Sequence, residues 1–160
     1  MKHQKLKTTP AISKRMSHVH LKKGKAETIL AKALWHCGYR YRLNYKKLPG
    51  SPDIAITTYQ IAIFVDGEFW HGYDWKNKKE KLKSNREFWI EKIEENIQRD
   101  IRNDKLLLSS GWIPLHFWEK EINKDLDGCI QVVQDAILQA ETQRCEDKEP
   151  LSSDFDLTDL

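Results

Sequence analysis

The apolar positions of the chain change their spacing several times, and each change marks an element. Ala26, Ile29, Leu30, Ala33, Leu34 and Cys37 recur at helical intervals and Gly38 follows as a stop, so the first element is a helix. Tyr39 to Leu43 then alternates aromatic and basic residues, Leu48-Pro49-Gly50 punctuates the chain, and Asp53 to Thr58 resumes in residues that favour extended backbone. Ile61 to Val65 is short and apolar throughout, as in a strand buried on both faces. Between Asn85 and Leu108 the stripe Trp89, Ile93, Ile97, Ile101 and Leu108 predicts one long helix that ends before Gly111. Trp112 to Trp118 alternates well enough for a strand, which Pro114 assigns to an edge or an irregularity. Ile122, Leu126, Ile130, Val133 and Ile137 predict a last helix, and no internal repeat interrupts the series. The order is helix, three strands, helix, strand, helix, which is that of an α/β fold with a mixed sheet flanked by helices.

A chain of 160 residues suffices for one domain with one core, expected over residues 26–140, and therefore for one site. Cys37, Cys129 and Cys145 are odd in number and far apart, which argues against a disulfide framework or a CxxC metal site and for a reducing cytoplasm. No apolar run approaches the roughly 20 residues of a membrane span, and the basic N-terminus has no apolar signal segment, so a soluble intracellular protein is expected. The net charge is only +3, but it is unevenly spread. Lys2, Lys5, Lys7, Lys14, Arg15, Lys22, Lys23 and Lys25 all precede the first acidic residue, Glu27. Residues 1–25 are thus a basic arm, either a solvated tail or a phosphate-tracking segment whose binding would weaken steeply with salt. At the other end Glu141, Glu146, Asp147, Glu149, Asp154, Asp156 and Asp159 outnumber Arg144 and Lys148, and residues 141–160 are expected to form a disordered acidic tail.

The candidate chemistry gathers where strands begin and end. Pro52-Asp53 opens one strand, and Ile61 to Val65 runs into Asp66-Gly67-Glu68-Phe69-Trp70-His71, so carboxylates from two strands can converge at one edge of a sheet. Hard oxygen ligands so placed suit Mg²⁺, which is typically held by one or two carboxylates plus phosphate. Asp53 is the first ligand candidate, although an Asp in a Pro-containing turn is common without any metal. His71 follows two aromatics in a Gly-flanked loop and has a pKa range suited to a general base, where a lone histidine is more often structural. Asp100, one helical step from Ile97, can orient that imidazole, or it can simply pair with Arg99 and Arg102 in solvent. Phe69, Trp70, Trp75, Phe88 and Trp89 are interleaved with Lys76, Lys78, Lys79, Lys81, Lys83 and Arg86, a mixture that can stack on bases while neutralising phosphates. Core packing accounts for Trp89 on its helical stripe, and less readily for Phe69-Trp70 in a polar loop.

Taken together, Leu48-Pro49-Gly50-Ser51-Pro52-Asp53, Phe64-Val65-Asp66-Gly67-Glu68-Phe69-Trp70-His71-Gly72 and Phe88-Trp89-Ile90-Glu91-Lys92-Ile93 through Asn96 to Arg99-Asp100 resemble the very-short-patch-repair (Vsr) mismatch endonucleases. Gly111-Trp112, Trp118-Glu119 and the upstream Ser13-Lys14-Arg15-Met16 continue the resemblance, which spans residues 10 to 140 approximately. It implies the restriction-endonuclease-like fold of the PD-(D/E)xK superfamily. It also implies that Asp53 binds the catalytic magnesium, His71 acts as general base, Asp100 orients it and Glu27 holds metal-bound water. Phe69, Trp70 and Trp89 correspond to aromatics that insert beside the mismatch from the major groove, while Met16, carried with Lys14 and Arg15 on the basic arm, enters the opposite groove. The implied reaction is a nick in double-stranded DNA at the phosphate 5′ to the thymine of a T:G mismatch, made by an activated water with magnesium stabilising the attacking and leaving oxygens. A monomer suffices, since one nick needs one active site, and contact with general mismatch-repair proteins is left open.

Two departures qualify the match. Asp66 stands where well-known family members have a histidine between the strand and the glycine, and it can add a metal ligand or change the preferred metal. The family's structural zinc set falls on Glu68, Tyr73, Trp75 and Lys120, which do not make a closed tetrahedral set of zinc ligands. Other readings are a restriction-type nuclease of the same fold that ignores mismatches, or a DNA-binding module without catalysis; the combination of Asp53, His71 and Asp100 argues against the second. With no structural zinc expected and the loop held by aromatic packing, elemental analysis of the purified protein should find no stoichiometric zinc. One tightly held zinc per chain would overturn that expectation.

Overall fold

A computed structural model of the chain describes residues 24–68 and 71–148. Their elements run α1 (Lys25–His36), β1 (Arg42–Leu43), β2 (Ile54–Ile56), β3 (Ile61–Asp66), α2 (Trp75–Lys81), α3 (Arg86–Ser109), β4 (Ile113–Trp118), α4 (Glu119–Lys124) and α5 (Leu126–Lys148). The expected mixed α/β sheet is present. Its order is β1-β2-β3-β4, with β1 and β2 antiparallel, β2 and β3 antiparallel, and β3 and β4 parallel. A parallel pair requires a long crossover, which α2 and α3 supply.

Side chains alternate across a strand, so β3 serves two cores. Ile61 and Ile63 join the larger one, with Ile54, Ile56 and Phe117 from the neighbouring strands and Leu30, Leu34 and Val133 from the helices. Ala62 and Phe64 face the other way and pack with Leu107 of α3, flanked by Leu48 and Trp112. This double burial is why the segment reads as an unbroken apolar run. By the same alternation Asp66, the last residue of β3, continues the face of Ala62 and Phe64. The parallel register sets Phe64 beside His116 and Asp66 beside Trp118, so β4 adds its own polar residue to that face. Pro114 lies on β4, an outer strand of the sheet, where a missing N–H is tolerated.

Two elements differ from the sequence expectation. Helix α2 has no buried residue, so its Lys-rich sequence carries no apolar stripe to announce it. It is tied down instead by Lys79 Nζ, 2.6 Å from Glu94 Oε1 of α3, and by the Trp75 indole N–H, which donates to the same oxygen at 3.4 Å. The last helix is divided at Asp125, whose carboxylate accepts the Gly128 N–H at 3.0 Å and whose carbonyl accepts the Cys129 N–H at 3.2 Å. An Asp in this place caps the next helix. Helix α5 then continues to Lys148, into the segment expected to be a disordered tail. Its exposed acidic and basic residues sit on a helical surface whose buried stripe is Cys129, Val133, Ala136, Ile137 and Ala140. Residues 149–160 and the basic arm through residue 23 lie outside the described residues.

The loop after β3 returns onto α3 at Gly72. Its φ of +74° is left-handed, and a Cβ there would lie 2.5 Å from Cδ1 and 3.0 Å from Cγ1 of Ile97. Only glycine satisfies both the backbone and the approach. Substituting Gly72→Ala should lower stability by about 1–3 kcal/mol, from overpacking together with an unfavourable backbone. Urea unfolding midpoints read the change, and an unaltered midpoint would mean that the loop does not rest on α3.

Candidate active site

The turn before β2 sets the first carboxylate. Gly50 (φ +78°) and Ser51 (φ 49°) are left-handed, Pro52 is buried, and the backbone pairs Asn44 N–H to Asp53 O (2.9 Å) and Tyr45 N–H to Pro52 O (3.0 Å) extend the contact with β1. Asp53 therefore enters β2 with a fixed direction. Its Oδ2 accepts the backbone N–H of Val65 at 2.7 Å, which pins it to β3 one residue from Asp66.

Asp66 is 7% exposed, and both of its oxygens face imidazoles. Oδ2 lies 2.7 Å from Nδ1 of His116, and Oδ1 lies 3.7 Å from Nδ1 of His71. His71 Nδ1 is closer to Asp100, at 2.6 Å from Oδ2. A carboxylate only accepts, so Nδ1 carries the proton and Nε2 is left as the basic nitrogen. Burial is the largest influence on His71 and lowers its pKa, but the Asp100 hydrogen bond and the charges of Asp66 and Asp100 together outweigh it, against a smaller opposing effect of Arg99. The net direction is upward from 6.5. His116 is gripped at both ends, since Nε2 lies 2.7 and 2.8 Å from the two oxygens of Asp104. Burial again pulls down most, and the hydrogen bonds and charges of Asp66 and Asp104 reverse it, raising the pKa to about 9. With carboxylates on both nitrogens, both must donate, and the ring is an imidazolium.

These residues line a cleft of about 350 Å³ on the α3 face of the sheet: Asp66 and Phe64 from β3, His71 from the loop, Asp100 and Asp104 from α3, His116 from β4. Arg99, half-exposed and 3.8 Å from Asp100, stands at its edge. Of the residues singled out in the sequence, the structure brings Asp66, His71 and Asp100 together directly and holds Asp53 against the adjoining backbone of β3. Asp53 and Glu27 do not line the cleft; Glu27 is half-buried in the first turn of α1. Trp89 is half-buried near the start of α3 and packs edge-on against Phe88 at 5.2 Å. Lys14, Arg15, Met16, Phe69 and Trp70 lie outside the described residues. Sequence reasoning missed His116 and Asp104. Asp104 stands four residues after Asp100, hence on the same helical face, which was a usable signal; His116 becomes visible only through the β3–β4 register.

Among the described residues no group of three or more His, Cys, Asp or Glu side chains gathers to hold a metal. Magnesium needs less: one or two carboxylates, with water and substrate phosphate completing the shell. Asp53 and Asp66, on adjoining strands, fit that donor chemistry. Three of the positions onto which the resemblance places the family's zinc set, Glu68, Tyr73 and Lys120, lie together with Lys78. The Tyr73 ring has Lys78 Nζ at 5.1 Å and Lys120 Nζ at 5.7 Å, and Trp118 meets it edge-on at 5.1 Å, while Glu68 lies 3.9 Å from Lys78.

A family model described as DNA mismatch endonuclease Vsr matches residues 6–77. Over longer stretches the chain is 45% identical to the type II nicking enzyme V.NmeDIP of Neisseria meningitidis serogroup C, across 130 residues that make up 81% of this chain and 88% of that one. The chain belongs to the Vsr family. It is likewise 47% identical to the type II nicking enzyme V.HpaIIP of Haemophilus parainfluenzae, over 71% of this chain and 80% of that one. The DNA mismatch endonuclease Vsr of Escherichia coli K12 is 36% identical over 67% of this chain and 68% of its own length. The chain is thus a DNA endonuclease of the Vsr family. None of the described helices is long and apolar enough to cross a membrane.

The doubly held His116 links stability to pH. Its folded pKa is raised from 6.5 to about 9, so its contribution is complete below the unfolded value and is lost as pH rises through the folded one. In EDTA, the urea midpoint of the wild type should fall as pH climbs from 6.5 past about 9, and the fall should flatten in His116→Asn. Parallel profiles for the two proteins would remove His116 as the source.

Proposed function

We propose that this Vsr-family protein is a Mg²⁺-dependent endonuclease that nicks double-stranded DNA 5′ to the thymine of a T:G mismatch. The observation that carries the reading is the His71–Asp100 pair at 2.6 Å, set beside the buried carboxylate of Asp66 in one cleft. Asp100 fixes the tautomer and orientation of the imidazole, and His71 Nε2 takes the proton from the attacking water. Asp53 and Asp66 would hold the ion, which when bound supplies charge stabilisation to the phosphate under attack. Arg99, at the edge of the cleft, offers a positive group to the DNA backbone. Glu27 acts at greater remove, in the role of holding a water that the family resemblance gives it. Phe69 and Trp70, with Trp89, would insert at the mismatch, and Lys14, Arg15 and Met16 of the basic arm would contact the opposite groove. One chain carries all of these groups, so a monomer is sufficient.

A second reading, nicking without regard to mismatch, is favoured by the names of the two more similar relatives above, both type II nicking enzymes. A single experiment separates the two. Duplexes differing only in T:G, T:A or C:G at one position are incubated with the protein and Mg²⁺, with EDTA, His71→Ala and Asp53→Asn as controls. Magnesium-dependent nicking of the thymine strand of the T:G duplex alone is expected, with loss of at least about a hundredfold in His71→Ala, in line with the usual contribution of a general base. Equal nicking of all three duplexes would favour the second reading. Retained binding without cleavage in any duplex would overturn both.

A further inference from the structure

We propose that His116 is a positioning residue for Asp66: it grips Oδ2 of that carboxylate so that Oδ1 is presented to the cleft beside His71, while Asp104 holds the far side of the ring. The proposal rests on the reading of Asp66 as a ligand of a divalent ion. A buried carboxylate with no such grip could rotate about its terminal torsion, because that torsion has a broad, roughly two-fold profile. His116 removes the freedom in three ways. Nδ1 donates to Asp66 at 2.7 Å, Nε2 donates to both oxygens of Asp104 at 2.7 and 2.8 Å, and the ring lies flat on Phe64 with centroids 4.8 Å apart and planes at 11°. Its three partners come from β3 and α3, and the ring itself from β4, so its place is fixed from several directions. This is the arrangement by which groups behind a metal ligand set that ligand's direction, and loss of such a partner commonly costs about 10–100-fold in metal affinity or activity.

The same contacts could merely tether β4 to α3, and two amide substitutions separate the roles. The amide nitrogen of Asn falls near the position of Nδ1, so His116→Asn keeps the bond to Asp66 and drops Asp104. The longer Gln places its amide near Nε2, so His116→Gln keeps Asp104 and releases Asp66. The full chain is stripped with EDTA and titrated with magnesium chloride, following both ion binding by calorimetry without DNA and the Mg²⁺ concentration for half-maximal nicking of the T:G duplex. A positioning role predicts that His116→Gln weakens both by about 10–100-fold and that His116→Asn, which keeps the bond to Asp66, weakens both less than His116→Gln does. A tether predicts lowered melting temperatures with unchanged ion binding, and that result would overturn the proposal.

Should His116→Gln fail to fold, the wild type decides by itself. Magnesium must shift the ¹⁵N resonances of the His116 ring, and binding that leaves them unmoved refutes the grip. The two levels of argument fail in different ways. A wild type that neither binds magnesium nor nicks overturns the metal reading and this proposal with it. A wild type that does both, matched by His116→Gln, overturns the positioning role alone.

Discussion

Everything near the cleft is arranged around one carboxylate that water barely reaches. A buried ionised group is costly unless it is paired and hydrogen-bonded, and pairing it with groups that are themselves partly buried moves the same demand outward. Asp66 meets it with two imidazoles, one from β4 and one from the loop after β3, and each imidazole is closed off by a second aspartate. Those two aspartates, Asp100 and Asp104, are four residues apart on α3, which is the spacing that puts both on one helical face. The result is an alternating series of carboxylates and imidazoles that starts and ends on α3. No described side chain in it or elsewhere leaves a buried polar atom without a hydrogen bond.

Such a network couples distant segments. The parallel pairing of β3 with β4 places His116, and Leu107 packed under Ala62 and Phe64 keeps α3 across that face of the sheet. Rigid elements are the better support for a site that must hold angstrom-level geometry. His71 is the exception, since it belongs to a loop. It is brought to the network by its bond to Asp100 and by Gly72 lying against Ile97.

The same division explains what could be read from the sequence. Helix α1, the buried strand β3 and the long helix α3 each carry a strong period or an unbroken apolar run, so their existence is evident without coordinates. Helix α2 buries nothing, and the break at Asp125 depends on side-chain capping that an apolar period does not register. Asp66, His71 and Asp100 stand in local motifs, and these three are the sequence candidates that the structure brings together in the cleft. His116 was not legible, because its meaning comes from a register between strands separated by the whole α2–α3 crossover. In the one-dimensional pattern it is a polar residue in a strand that alternates imperfectly around a proline.

Several contacts of modest strength hold the described residues of the loop that carries His71. They include cation–π pairs, worth about 0.5–2 kcal/mol each, and an ion pair between partly exposed side chains, Glu68 and Lys78. Salt weakens the charged members of this set, because they remain in reach of solvent. It has little effect on Gly72 against Ile97 or on Tyr73 edge-on to Trp118, which depend on shape and on apolar surface. As ionic strength rises, the lysine contacts therefore weaken first, while the hydrogen bond to Asp100 and the packing of Gly72 on Ile97 keep His71 in place.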